Sequence, residues 1–341
     1  MRYFIISLFI ILLPWRLWAY DIEDRIYLGP QNAPIVLKII STADTNFFRK
    51  VIEDFLTRNT GIAIDYVVVS SSDLMTAISE NEETFDLAIS SAMDLQTKLA
   101  NDSLTSAHQS DATNAMPDWA RWRQEVFAFT QEPAAIVLSA AAFDGLKLPK
   151  TRQDLIEILR DNPDRFAGRV GTYDLRKSGA GYLFATQDSR TSEVYWRLTE
   201  VMGGLDAKLY CCTSDMLNDI ASGDLLVAYN ALATYALSRE DAGKFIVIYP
   251  QDFTTVMMRT VLIPATAENK AEAARFIDYL IDIAWAGGAT SSSPLSPLSA
   301  DLSSVEDAVR RIPIDPGLLI FLDEYKRQRF LSAWEDAILQ E

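Results

Sequence analysis

PIVLKIISTADTNFFRKVIEDFLTRNTGIAIDYVVV, residues 34–69, decides the fold. Ile35, Val36, Leu37, Ile39 and Ile40 make a short apolar run of strand length. Phe47, Phe48, Val51, Ile52, Phe55 and Leu56 then recur at the spacing of a helix with one buried face, and Gly61 supplies the stop. Ile62 to Val69 reads as a second strand, Ser72-Asp73 as the next helix start, and Phe85 to Ile89 as a third strand, with a short helix following near Asp94. Strand alternating with helix at this rhythm predicts a mostly parallel sheet covered on both faces.

The same logic recurs further along. After a polar loop from Gln109 to Asp118, Glu125–Phe129 and Ala135–Ser139 read as strands crossing into a second unit. That unit has a helix capped by Thr151, strands at Arg169–Thr172, Leu225–Tyr229 and Phe245–Tyr249, and helices at Gly179–Thr186, Ser192–Met202 and from Thr213 to Gly223. Thr254 to Ile263 is a long strand-like run, Glu268 to Ala284 an amphipathic helix, residues 286–300 a Gly/Ser/Pro-rich loop, and 318–339 a helical tail. Residues before Pro34 read as a polar leader. The expected class is α/β with two lobes, each a mixed, mostly parallel sheet flanked by helices. The first lobe takes residues 30–125 and 253–285, the second 126–252, and C-terminal helices in 286–341 brace the two. Two such units joined by extended crossings close on each other by hinge motion.

The first residues stand apart. Met1-Arg2, an apolar run from Tyr3 to Leu13, Pro14 and a small residue at Ala19 have the layout of a secretory signal peptide, residues 1–19. The run is short for a bilayer span, and an uncleaved anchor is the competing reading. Removing residues 1–19 takes away Arg2 and Arg16 and leaves 29 basic against 47 acidic residues, a net charge of −18. That surface argues against nucleic acid and anionic lipid, both of which select basic patches. Cys211 and Cys212 are the only cysteines, and adjacent cysteines pair only in a strained ring, so two buried thiols are the expected state. With His108 the single histidine, no metal spacing is visible and neither a metal nor a cofactor is expected. His108 also lies far from any Gly-x-Ser-x-Gly elbow, so no catalytic constellation stands out.

Three junctions place polar groups where a cleft between lobes needs them, at strand carboxyl ends and helix starts. Ser41, Thr42, Asp44 and Thr45 follow the first strand, and Ser90 and Ser91 follow the third. Such residues either cap helices or join unpaired backbone N–H groups in a cradle for an anionic or hydroxylated ligand. In the second unit Thr172, Tyr173, Arg176, Ser178, Gly179 and Gly181 form a glycine-bearing turn with a cation to neutralise an anion, and Lys177 stands beside them. The glycine spacing is that of neither a dinucleotide fingerprint nor a P-loop. Tyr229 and Asn230 follow the strand Leu225–Ala228 as the third junction.

Arg169 to Ser189, the run Leu209-Tyr210-Cys211-Cys212-Thr213-Ser214-Asp215-Met216, and Leu226-Val227-Ala228-Tyr229-Asn230 resemble the ABC-type solute-binding proteins of the ferric-binding and phosphoglycerate-regulatory group. The resemblance runs from about residue 34 to 285. It implies the type 2 periplasmic-binding fold, a discontinuous first lobe, no catalytic activity, and a monomer that hands a small ligand to an ABC permease or signals to a sensor kinase. Ferric binders of this group use consecutive tyrosines. Here the candidate places read Tyr195-Trp196 and Tyr229…Tyr235 with no adjacent tyrosine pair, which counts against iron and leaves a small organic or phosphorylated anion as the expected ligand.

Overall fold

The computed structural model describes residues 20–81, 83–285 and 303–340. The signal-peptide reading of residues 1–19 and the loop expected at 286–300 lie outside them. Two sheets form the frame. The eight-stranded sheet runs Ile22–Leu28, Ile62–Val69, Ile35–Ser41, Leu87–Ser90, Thr260–Pro264, Val126–Ala128 and Arg121–Trp122, with Thr105–Ser106 paired to Thr260–Pro264. The seven-stranded sheet runs Lys208–Tyr210, Val170–Tyr173, Val227–Leu232, Glu132–Ser139, Thr254–Met257 and Val309–Arg311, with Phe245–Ile248 paired to Glu132–Ser139. Both are mixed and helix-covered, as the alternating pattern requires.

Local chemistry explains the elements. Helix Thr45–Arg58 buries Phe47, Phe48, Val51, Ile52 and Phe55 on one face, each contributing roughly 1.5–3 kcal/mol of transfer free energy. Strand Ile62–Val69 lies between two neighbours, parallel to Ile35–Ser41 and antiparallel to Ile22–Leu28. The latter is the segment that reads as a polar leader. As an edge strand it is largely exposed, so its sequence carries no apolar signature.

The run from Thr254 to Ile263 is not one strand. It leaves the seven-stranded sheet at Met257 and enters the eight-stranded one at Thr260, so Met258 and Arg259 form a crossing. The second crossing is Phe129–Gln131, between Val126–Ala128 and Glu132–Ser139. The crossings are bonded to each other, the Phe129 N–H donating to the Arg259 carbonyl at 3.0 Å and the Arg259 N–H to Thr130 Oγ1 at 3.0 Å. Among the described residues, no helix is long and apolar enough to cross a membrane.

Candidate functional site

Four helix starts converge between the sheets. Thr45–Arg58 begins after Asp44, Ser71–Glu80 after Ser70, Gly179–Thr191 after Ser178 and Thr213–Ser222 after Cys212. Two are capped from within: Ser70 Oγ accepts from the Asp73 N–H and Ser178 Oγ from the Gly181 N–H, each at 3.1 Å. Residues at all four starts line one space, and helix starts bring unpaired N–H groups and a positive dipole end to their surroundings. That space is a cavity of about 60 Å³ lined by Thr42, Asp44, Ser91, Tyr173, Ser178 and Arg259 among others. It has room for roughly four to six waters, or one small anion of similar bulk.

Contacts across the cleft keep the cavity small. Ser214 Oγ donates to Asp44 Oδ2, and Phe47 stacks on Tyr235 at 4.7 Å between ring centroids. Gly179 lies so close to the opposite lobe that a Cβ there would sit 2.7 Å from Ser71 Cβ and 2.9 Å from Ala92 Cβ. Gly179→Ala is therefore expected to hold the lobes apart and weaken ligand binding by about tenfold or more. Isothermal titration against the wild type checks this; unchanged affinity would mean that closure tolerates the methyl.

The electropositive floor is Arg259, in the crossing itself. Its side chain is 1% exposed. Nε and Nη2 donate to the equally buried Glu132 at 3.0 and 3.2 Å, and Nη2 reaches Tyr235 Oη at 3.4 Å. Burial works against its charge, but Glu132 and Tyr235 outweigh that and hold its pKa above the ordinary value. Nη1 is buried and has no hydrogen-bond partner. An unmet guanidinium N–H at the base of a cavity ringed by helix N-termini is suited to an anionic oxygen.

A model of the bacterial extracellular solute-binding proteins matches residues 37–284 of this sequence. The chain belongs to that family. No curated protein matches the sequence. Among solved structures, the substrate-binding protein of an ABC transporter from Agrobacterium tumefaciens is 27% identical, with a TM-score of 0.86 over 94% of this chain and 99% of that one. The periplasmic binding protein AfuA from Actinobacillus pleuropneumoniae, solved with fructose-6-phosphate, is 16% identical, with a TM-score of 0.71 over 90% and 100%. A ferric binding protein from Campylobacter jejuni, also 16% identical, gives 0.65 over 88% and 99%. The last two show the fold alone. The chain is thus a solute-binding protein of the ABC-transporter type, with the two-sheet fold that the sequence predicts.

In this solute-binding protein the cavity brings together Thr42, Asp44, Ser91, Tyr173 and Ser178 of the residues singled out from sequence, and Gly179 abuts it. The others are occupied elsewhere. Ser41 and Ser90 are buried and accept from the N–H groups of Ala43 and Ala92, closing their own turns. Thr45 donates to Asp24 in the neighbouring open groove. Thr172 is buried beside the Tyr229 carbonyl. Gly181 packs under Tyr173, where a Cβ would collide with that ring.

Tyr229 and Asn230 do not end a strand. The strand continues to Leu232 through a bulge at which Asn230 takes φ 60°, a conformation asparagine tolerates. Both side chains turn into the lobe and donate to Asp188 at 2.8 and 2.9 Å. Arg176 also lies outside the cavity. It is 40% exposed and forks onto Asp174 at 2.8 Å, with Glu335 beyond. Sequence reasoning missed Arg259, because the crossing is hidden inside an apparently continuous apolar run, and it did not single out Ser70, the cap of helix Ser71–Glu80. Cys211 and Cys212 are free and half-buried rather than fully buried; both line the cavity, and their ligand atoms lie within 4.8 Å of one another and of Asp215.

Arg176 lines a second hollow of about 230 Å³ with Asp94 and Arg327. Burial pushes the Asp94 carboxyl up to about 7, with Arg327 a minor counterweight. The folded protein then holds this proton more tightly than the unfolded chain, so the stability it contributes is full below about pH 4 and is lost as pH rises toward 7. Asp94→Asn is expected to flatten that fall and gain up to about 4 kcal/mol relative to wild type at pH 8. Urea midpoints of both proteins from pH 4 to 8 test it; parallel pH profiles would rule it out.

Proposed function

We propose that this protein is the periplasmic receptor of an ABC importer, exported by residues 1–19, and that it captures a small organic or phosphorylated anion in the cleft. Arg259 Nη1 is the observation that carries this reading: a buried, unpartnered cationic N–H on a residue that lines a cavity bordered by four helix starts. Lys177 adds a second positive charge at the rim. The lobes of this reading comprise about residues 30–125 with 253–285, and 126–252, and we place the hinge at Phe129–Gln131 and Met258–Arg259.

A ferric site would need phenolates, and the tyrosines of the cavity are poorly placed to supply them. The Tyr173 hydroxyl is shared with Thr213 at 2.5 Å, and the Tyr235 hydroxyl lies 3.4 Å from Arg259 Nη2, a cation that would oppose a ferric ion beside it. Thermal unfolding of the chain from Tyr20 against phosphorylated sugars, phosphoglycerates, carboxylates, neutral sugars and ferric citrate tests the assignment. A ligand at a hundredfold its Kd adds about 2.7 kcal/mol, a clear midpoint shift. The shift is expected with anions and absent with neutral sugars. A response to ferric ion alone, or to neutral sugars alone, would overturn the anion assignment.

A further inference from the structure

The same cavity carries negative charge as well. Glu23, from the edge strand Ile22–Leu28, and Asp44, at the start of helix Thr45–Arg58, line it together with Arg259 and Lys177. Among the described residues Glu23 makes no side-chain hydrogen bond or ion pair, and the Asp44 carboxylate accepts only from Ser214 across the cleft. An open groove of about 730 Å³ continues outward from these two carboxylates and adds Asp24 and Glu240. The one arginine there, Arg239, is already held by Asp241 at 2.7 Å and Asn218 at 2.8 Å. Partial desolvation, then repulsion from Asp44, Asp215 and Asp73, raises the Glu23 carboxyl, the response of an acid lacking a cation.

A receptor for a plain anion gains nothing from carboxylates on its walls, since they repel the solute. A solute of both signs accounts for both walls. We propose that the ligand is a small zwitterion, its anionic head on Arg259 at the base of the cavity and an ammonium group between Glu23 and Asp44 at the mouth. This rests on the anion reading above and narrows it to a substrate class. The cavity volume keeps the two charges only a few bonds apart.

Isothermal titration with matched probes tests it: phosphoethanolamine against ethyl phosphate, and γ-aminobutyrate against butyrate. The amine-bearing member of at least one pair is expected to bind about tenfold or more tighter, the value of one charge-assisted contact. Glu23→Gln, an exposed change on an edge strand, should reduce that preference to about threefold or less, and Asp44→Asn should do the same. Equal binding within both pairs would overturn the zwitterion and leave the anion reading standing. Heat from neither member of either pair would overturn both.

Discussion

Arg259→Met is expected to weaken anion binding about ten- to hundredfold and at the same time weaken the fold. Two energies are involved and they separate experimentally. For binding, the lost group is a charged N–H with no competing partner, worth about 1.5–3 kcal/mol, or a ten- to hundredfold loss of affinity. For stability, the substitution strands the Glu132 carboxylate, which is 1% exposed and keeps only Thr130 at 2.9 Å and Thr234 at 3.5 Å. Breaking a buried pair from one side costs about 3–5 kcal/mol. Adding Glu132→Gln removes the stranded charge, so the double variant should recover most of the urea midpoint yet bind no better than Arg259→Met. If the double variant regains affinity, Arg259 acts only through the stability of the crossing and makes no contact with the ligand.

How much of this was legible in the sequence follows from what each feature needed. The strand and helix of residues 35–58 declare themselves by periodicity, and the structure returns Ile35–Ser41, Thr45–Arg58 and Ile62–Val69 within a residue or two of the reading. Thr42, Asp44, Ser91 and Ser178 could be placed because a strand end followed by a helix start has both a sequence signature and a fixed direction. Arg259 could not. It interrupts an apolar run as any tolerated surface arginine would, and only the sheet change at Met258 turns it inward. Glu23 was hidden for the opposite reason, since its strand has one neighbour and a mainly solvent-facing surface. Arg176 misled because the cation best placed in sequence, two residues before the Ser178 cap, is bound by its own Asp174.

The largest purely structural loss is expected from Arg152→Met. The residue sits in the first turn of helix Arg152–Asp161 and is wholly buried, an unusual place for a guanidinium. It is held by Tyr229 Oη at 2.7 Å, the Phe253 carbonyl at 2.7 Å, Asp252 at 3.3 Å and Asp188 at 3.4 Å, and its plane lies 3.5 Å from the centroid of the Phe253 ring. Asp188 gathers Tyr229, Asn230 and Thr255 at 2.7–2.9 Å, so one cluster ties strands Val227–Leu232 and Thr254–Met257 to helices Arg152–Asp161 and Gly179–Thr191. Methionine fills much of the volume but leaves Asp188 as an uncompensated buried acid, at a cost of about 3–5 kcal/mol. That is a large part of the 5–15 kcal/mol margin usual for a folded protein. Asp188→Asn combined with Arg152→Met should be milder than Arg152→Met alone, because no charge remains to be stranded. The cluster does not line the ligand cavity. Whatever fraction of either variant is folded should therefore bind with near wild-type affinity, and titration corrected for active fraction reads this directly. A loss of affinity matching that of Arg259→Met would show that Tyr229 and Asn230 reach the ligand after all.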